Sequence, residues 1–215
     1  MFQTLSSPLF LFTVITIPIS LVFHEFAHAI VADWFGDPTP RLAGRVTLNP
    51  IPHLDVLGLL MILFGPIGWA KPTPVNPQNF KRPRLAYLLT VLAGPVSNLV
   101  LASLSFLLLR WVWNPNDVVT SGFLTRLLNV MAVINVNLFI FNLIPVPPLD
   151  GSRILETFFL YKNERALRTL EVYGPFALLL LVMIPPLQTH VLAPLFNGTL
   201  NLVASWFGFQ FSPIA

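Results

Sequence analysis

Apolar residues in this chain come in long, nearly unbroken runs rather than in the one-faced periodicity of a soluble helix or the alternation of a half-buried strand. A first run covers about residues 8–35 and stops at the turn "GDPTP". A polar stretch follows, "RLAGRVTLNPIPH", in which residues 44–48 are β-prone. The second run, "LDVLGLLMILFGPIGWA", is short, rich in glycine and closed by Pro66. The loop "KPTPVNPQNFKRPR" is held extended by its prolines. Longer runs cover about residues 84–113 and 122–144, the latter stopped by the prolines of "NLIPVPPLDGSR". An amphipathic linker carrying Arg153, Lys162, Arg165 and Arg168 leads to two last runs, about 167–184 and 191–207.

A helix needs about 20 apolar residues to cross a bilayer core of about 30 Å. The pattern therefore predicts an all-α polytopic membrane protein. It has about five transmembrane helices, one short re-entrant or surface segment, and a small β-prone stretch after the first helix. Composition agrees: 55% of the residues are hydrophobic and 10% charged, against about a quarter charged in a soluble domain. One membrane-embedded domain over residues 1–215 is expected. The first run lacks the basic flank of a signal peptide and is read as a retained transmembrane helix.

Charge then sets the topology. If the second run dips in and returns, one side of the membrane receives Arg41, Arg45, Lys71, Lys81, Arg82, Arg84 and the four linker cations, and the other receives Arg110 and Arg126, ten against two. A crossing second run gives eight against four. The positive-inside bias favours the dip, with the N-terminus outside and both basic loops in the cytoplasm. Its shortness and its Gly58, Gly65 and Gly68 suit a re-entrant segment. The net charge of +3 thus reads as a topology signal, and no nucleic-acid partner is expected. Cysteine is absent, which excludes disulfides and thiolate metal sites.

One stretch contradicts its surroundings. "HEFAH" puts His24, Glu25 and His28 inside the first apolar run, where ionisable groups are expensive and by default functional. Residues four apart share a helix face, so the two imidazoles can hold one metal ion, with Glu25 beside it as a general base. The bland alternative is a polar helix face hydrogen-bonded to its neighbours. Zinc would still need a third ligand, and without cysteine that is Asp, Glu or His. Asp33 and Asp37 are too near in sequence, Glu156, Glu164 and Glu171 sit in the polar linker, and Asp117 and His190 fall on the opposite side. His53, Asp55 and Asp150 remain. Asp55 also reads as an N-cap for the second run, with His53 just outside it, and Asp150 as an N-cap for the helix after Gly151. His24 lies about eleven residues before its helix ends, so at ~1.5 Å per residue it is roughly 16 Å deep. For Asp150 to reach it, the irregular run before Asp150 has to turn back into the protein.

"HEFAH", "AGPVSN" at residues 93–98 and "NLIPVPPLDG" at residues 142–151 together resemble the site-2 proteases, intramembrane zinc metalloproteases that cut transmembrane helices. "GDPTPRLAGRVTLNPIPHLDVLG" and "GWAKPTPVNPQNF" further resemble the short prokaryotic branch, without PDZ or CBS domains. The resemblance extends from about residue 19 to 153. It implies one Zn2+ held by His24, His28 and Asp150, with Glu25 as base and Asn98, in the family's GPxxN position, as a donor to the developing oxyanion. It also implies a catalytic core of three helices, about 8–35, 84–113 and 122–144, joined by a re-entrant segment and loop over 54–83. The expected partners are a transmembrane protein or peptide substrate and the lipid bilayer. The expected location is a prokaryotic cell membrane, with the site opening toward the cytoplasm. Residue by residue, other roles compete. Gly94, Asn98, Ala102 and Ser105 form a stripe suited to close helix packing. Asn135, Asn137 and Asn142 read as interhelical hydrogen-bond partners, Asn142 with the stronger claim to the site. Residues 71–79 could offer an extended edge to an unwound substrate. The rival functions are a membrane metal-ion transporter and an inactive relative that binds membrane helices.

Overall fold

The computed structural model of the chain describes residues 9–64, 68–112, 122–159 and 164–210. Gly65 and Pro66, Trp113, Asp117 and Lys162, all used above, lie outside the described residues. The described elements are α1 (Phe10–Trp34), α2 (Thr39–Leu42), α3 (Val56–Phe64), α4 (Pro83–Val112), α5 (Phe123–Asn142), α6 (Asp150–Phe159), α7 (Glu164–Met183) and α8 (Pro185–Ser205), the last containing a π turn at Gln188–Leu192.

Three helices, α1, α4 and α5, are long and apolar enough to cross a membrane. The two further spans expected at the C-terminus take another form. Leu167–Met183 and α8 meet at an angle of 85° and count as a fourth crossing if taken as one broken span. The cause lies in the sequence: Pro185 and Pro186 have no N–H to continue α7, and Ile184 before them is forced into extended geometry (φ −89°, ψ 113°).

The β-prone stretch 44–48 forms no strand among the described residues. Gly44 instead closes α2 in the left-handed region (φ 69°), and the Arg45 N–H bonds the Pro40 carbonyl. The second run gives one short helix. Nine residues of helix span about 14 Å, under half a bilayer core. The run also ends where it began: Leu54 and Ala70 form an antiparallel bridge, and Lys71 N–H donates to the His53 carbonyl (2.8 Å). Asp55 caps α3 through the Gly58 N–H (2.8 Å). Glycine is required at 58, because a Cβ there would fall 2.0 Å from the Trp69 carbonyl.

Packing follows membrane rules. On α4 the buried positions include Ala86, Thr90, Gly94, Asn98 and Ala102, a stripe of one every four residues, while Val100, Leu104, Leu107 and Leu108 face outward. The stripe lies against α1, whose buried positions include Thr16, Ser20, His24, His28 and Ala32. Small residues let two backbones approach closely where lipid offers large side chains nothing to escape. At the far end, Ala102 and Phe106 of α4, Ala132 and Val136 of α5, and Leu200, Val203 and Ala204 of α8 form one apolar cluster.

After α5 the chain reverses through seven residues that include a cis Pro147–Pro148 bond. Gly151 fits against the Leu143 and Ile144 carbonyls, each 2.4 Å from where a Cβ would be. The reversal brings Asp150 to the histidines, as the expectation required, and the ten residues of α6, about 15 Å long, lead away from there.

The loop after α3 is tied down at Asp37, just past α1. This fully buried carboxylate accepts from the Thr39 N–H (3.0 Å) and hydroxyl (2.6 Å), the Asn76 N–H (2.7 Å) and the Asn79 amide (2.7 Å). Burial alone would raise its pKa, but these bonds together hold it below its ordinary value. A depressed pKa contributes stability above the unfolded value of 3.8 and loses it as pH falls through the folded value. Asp37→Asn is expected to cost about 1–3 kcal/mol, since an amide donor replaces an acceptor facing N–H groups. Thermal unfolding in detergent should show a gap to wild type that is constant from about pH 8 to 5 and narrows below about pH 4.

Candidate metal centre

The one-turn spacing on α1 stacks His24 and His28, with ring centroids 4.6 Å apart and ring planes nearly perpendicular. Each ring is fixed from behind. His28 Nδ1 lies 2.7 Å from the Thr90 carbonyl, and His24 Nδ1 lies 2.7 Å from Oδ1 of Asn98. A carbonyl only accepts, so His28 carries its proton on Nδ1. The Asn98 amide is oriented by its other end, where Nδ2 donates to the Ser20 carbonyl (3.3 Å) and to Oδ1 of Asn135 (2.9 Å). Its oxygen therefore faces His24, which also carries its proton on Nδ1. Asn135 is oriented in turn by donating to the Met131 carbonyl (2.9 Å) and the Ser20 hydroxyl (2.8 Å).

Both Nε2 atoms then present lone pairs on the opposite side, 3.0 Å from each other. Asp150 Oδ2 lies 3.0 Å from one and 3.2 Å from the other. It is buried and finds no hydrogen-bond donor. Three potential ligand atoms thus converge in one buried space, a grouping that calls for positive charge among them, from a metal ion or from protons on the imidazoles. His24, His28 and Asp150 are the group of potential ligands found among the described residues. A tetrahedral zinc with ligands at about 2.0–2.1 Å holds them about 3.3 Å apart, close to the triangle observed. Two neutral imidazoles and a carboxylate suit zinc, and their outer partners fix the tautomers as such sites require.

Gly94 explains why the rings can lie so close to α4. A Cβ at 94 would stand 2.3 Å from His28 Nε2 and 2.7 Å from His24 Cε1. Glu25 lies beside the cluster, and its Oε2 accepts from the Thr73 N–H (2.7 Å) while the Thr73 hydroxyl donates to the Glu25 carbonyl (3.0 Å). A cavity of about 350 Å³ opens on these groups, its wall including Glu25, Tyr87, Phe141, Asn142, Asp150, Arg153 and Leu178.

The remaining residues expected at the site take other places. Asn98 is fully buried and its amide N–H groups point at Ser20 and Asn135, so no donor remains for an oxyanion. His53 is fully buried with Nε2 on the Thr47 carbonyl (2.7 Å), and Asp55 is the α3 cap; neither joins the cluster. Asn135 does bridge helices, whereas Asn142 lines the cavity and donates to the Leu138 carbonyl on its own helix. Three partners had gone unread: Thr73, Thr90 and Arg45, whose buried guanidinium donates to the Lys71 (2.8 Å) and Pro72 (3.3 Å) carbonyls. For Thr90 a signal existed. Pro95 leaves the Val91 carbonyl without its helical donor and loosens the turn next to Thr90.

The chain is similar to known proteins at two levels. A family model described as peptidase family M50 matches residues 112–183. Curated relatives carry the name "Putative zinc metalloprotease". YwhC of Bacillus subtilis is 42% identical over 206 residues, 94% of each chain. Rip2 of Mycolicibacterium smegmatis is 34% identical over 175 residues, 79% of this chain and 65% of that protein. Rip2 of Mycobacterium tuberculosis is 32% identical over 176 residues, 79% and 66%. No solved structure matches the chain.

Gly94 offers a test of the cluster by geometry alone. Gly94→Ala forces both imidazoles away from α4, so zinc affinity should fall by at least about tenfold while helix content is unchanged. Zinc titration and circular dichroism on the same preparation read the two quantities.

Proposed function

The chain belongs to peptidase family M50, and from that footing we propose that it is an intramembrane zinc endopeptidase hydrolysing peptide bonds in or near transmembrane segments. The observation that carries this reading is the meeting of three potential ligand atoms beside a carboxylate, in an apolar-walled cavity among helices of membrane length.

His24, His28 and Asp150 would hold the metal. When bound, zinc supplies Lewis acidity, polarising a peptide carbonyl and acidifying water. Glu25 is the general base. With Oε2 held by the Thr73 N–H, its other oxygen takes a proton from the attacking water and returns it to the leaving amide nitrogen. Asn98 acts through His24, fixing its tautomer and orientation, and so is a positioning residue. Asn142, on the cavity wall with one amide N–H given to Leu138, is the donor best situated for the oxyanion.

A substrate helix has to unwind before its carbonyls can be reached, because its peptide groups bond internally. Residues 71–74 of the loop after α3 could pair with the unwound strand only as acceptors. Its Lys71 and Thr73 N–H groups are already bonded, and Pro72 and Pro74 have none. The short α3 and the ten-to-two distribution of basic residues support a cytoplasmic opening in a prokaryotic cell membrane.

Zinc analysis beside cleavage of a helical transmembrane peptide in detergent tests the reading. Glu25→Gln should keep about one zinc per chain and lose cleavage by about 10²–10⁴-fold, whereas Asp150→Asn should lose the zinc itself. A metal carrier would show altered flux in Glu25→Gln and no peptidase activity in wild type. Asn98→Leu separates two roles for that residue. Positioning lowers zinc affinity about 10–100-fold and leaves kcat at saturating zinc within a few-fold, whereas an oxyanion donor would lower kcat with the metal fully bound.

A further inference from the structure

The general base is held by a loop, and the loop is built at considerable cost. Arg45 is 4% exposed and, among the described residues, its guanidinium has no carboxylate partner; it donates to the carbonyls of Lys71 and Pro72. A buried cation satisfied only by carbonyl oxygens is an expensive way to place a loop. Lys71 N–H is fixed to the His53 carbonyl, and on the far side Asn76 and Asn79 are fixed to Asp37. Thr73 sits between these anchors, 6% exposed.

Its neighbours sharpen the point. Pro72 and Pro74 stiffen the backbone and carry no N–H, so the Thr73 N–H is the single main-chain donor from residue 72 to 74. That donor goes to Oε2 of Glu25, and the Thr73 hydroxyl goes to the main-chain carbonyl of the same residue. Nothing about packing a proline loop requires two bonds to one glutamate on another element. The arrangement clips both the backbone and the carboxylate of residue 25.

We propose that Thr73 is a positioning residue for the Glu25 carboxylate: its N–H holds one oxygen and so aims the other at the reacting water, with Arg45 and Asp37 fixing the loop that delivers it. This rests on the reading of Glu25 as general base. The site therefore has two independent supports, helices α4 and α5 for the metal ligands and the anchored loop for the base.

The test uses the full-length protein in detergent, with zinc content, kcat and KM for a helical peptide substrate measured in Thr73→Ser, Thr73→Val and Thr73→Pro. Serine keeps both bonds and should stay within about twofold of wild type. Valine keeps the N–H and loses the hydroxyl, so kcat should fall a few-fold. Proline loses both, and kcat should fall about 10–100-fold with KM within about threefold and zinc at one per chain, the size expected for a misplaced catalytic group. Wild-type kcat in Thr73→Pro, a loss confined to KM, or a parallel loss of zinc would each overturn the proposal. If Thr73→Pro does not fold, Arg45→Met, which frees the loop without touching Glu25, decides: kcat should fall with zinc at one per chain, and wild-type kcat in that variant overturns the proposal. A wild type that loads zinc and cuts no helical substrate would instead overturn the reading of the site beneath it.

Discussion

Three lone pairs within 3.2 Å of one another, in a space that water barely reaches, are the constraint on which this molecule is arranged. Such a triangle needs positive charge at its centre, and it can take a metal ion when both imidazoles turn their protons away. The Thr90 carbonyl and the Asn98 amide take those protons. Asn98 is itself reliable because Asn135 and Ser20 fix which end of its amide faces the ring. Gly94 must lack a side chain for the rings to fit, and α5 must stop at Asn142 so that Asp150 can start the next helix at the depth of the histidines. Each feature would be a liability alone, and together they serve one ion.

The surroundings make this arrangement possible. In lipid, burying a leucine gains little, so close packing of small residues and interhelical hydrogen bonds hold the helices instead. The inner stripes of α1 and α4 are accordingly rich in Ala, Gly, Ser, Thr and Asn, while Leu104, Leu107, Leu108, Trp34 and Trp111 face out. An interhelical hydrogen bond in a membrane averages about 0.6 kcal/mol, so the Ser20–Asn98–Asn135 network is better understood as orientation than as glue.

How much of this could be read from the chain depends on the range of each interaction. The histidine pair was legible because one helical turn fixes their relation, and Asp55 because a cap acts within three residues. The shortness of the second run's helix was legible in its glycines and closing proline. Asp150 was one of three candidates until family resemblance selected it, since no local rule carries a carboxylate from beyond the fourth run to the first. The fifth span failed because two prolines turned a pair of apolar runs into one bent element. The β-prone stretch failed for want of a partner strand, Gly44 and Arg45 being taken by a turn and a buried anchor. The orientation of Asn98 was not legible, because which end of an amide faces a ring depends on residues 37 and 78 positions away.

Metal and base are also mechanically separable. The ligands ride on α1 and the start of α6, backed by α4 and α5, and these helices are coupled to the whole bundle. Glu25 shares a helix with the histidines, but its carboxylate is held by a loop whose anchors, Arg45, His53 and Asp37, all lie beyond the end of α1. A disturbance of the bundle would move ligands and base together, whereas a disturbance of the loop would move the base and leave the metal in place. Water near a Lewis acid in a membrane protein is a hazard whenever no substrate is bound. Under the proposed function, a base aimed from outside the bundle would let hydrolysis depend on the loop while metal affinity stayed constant.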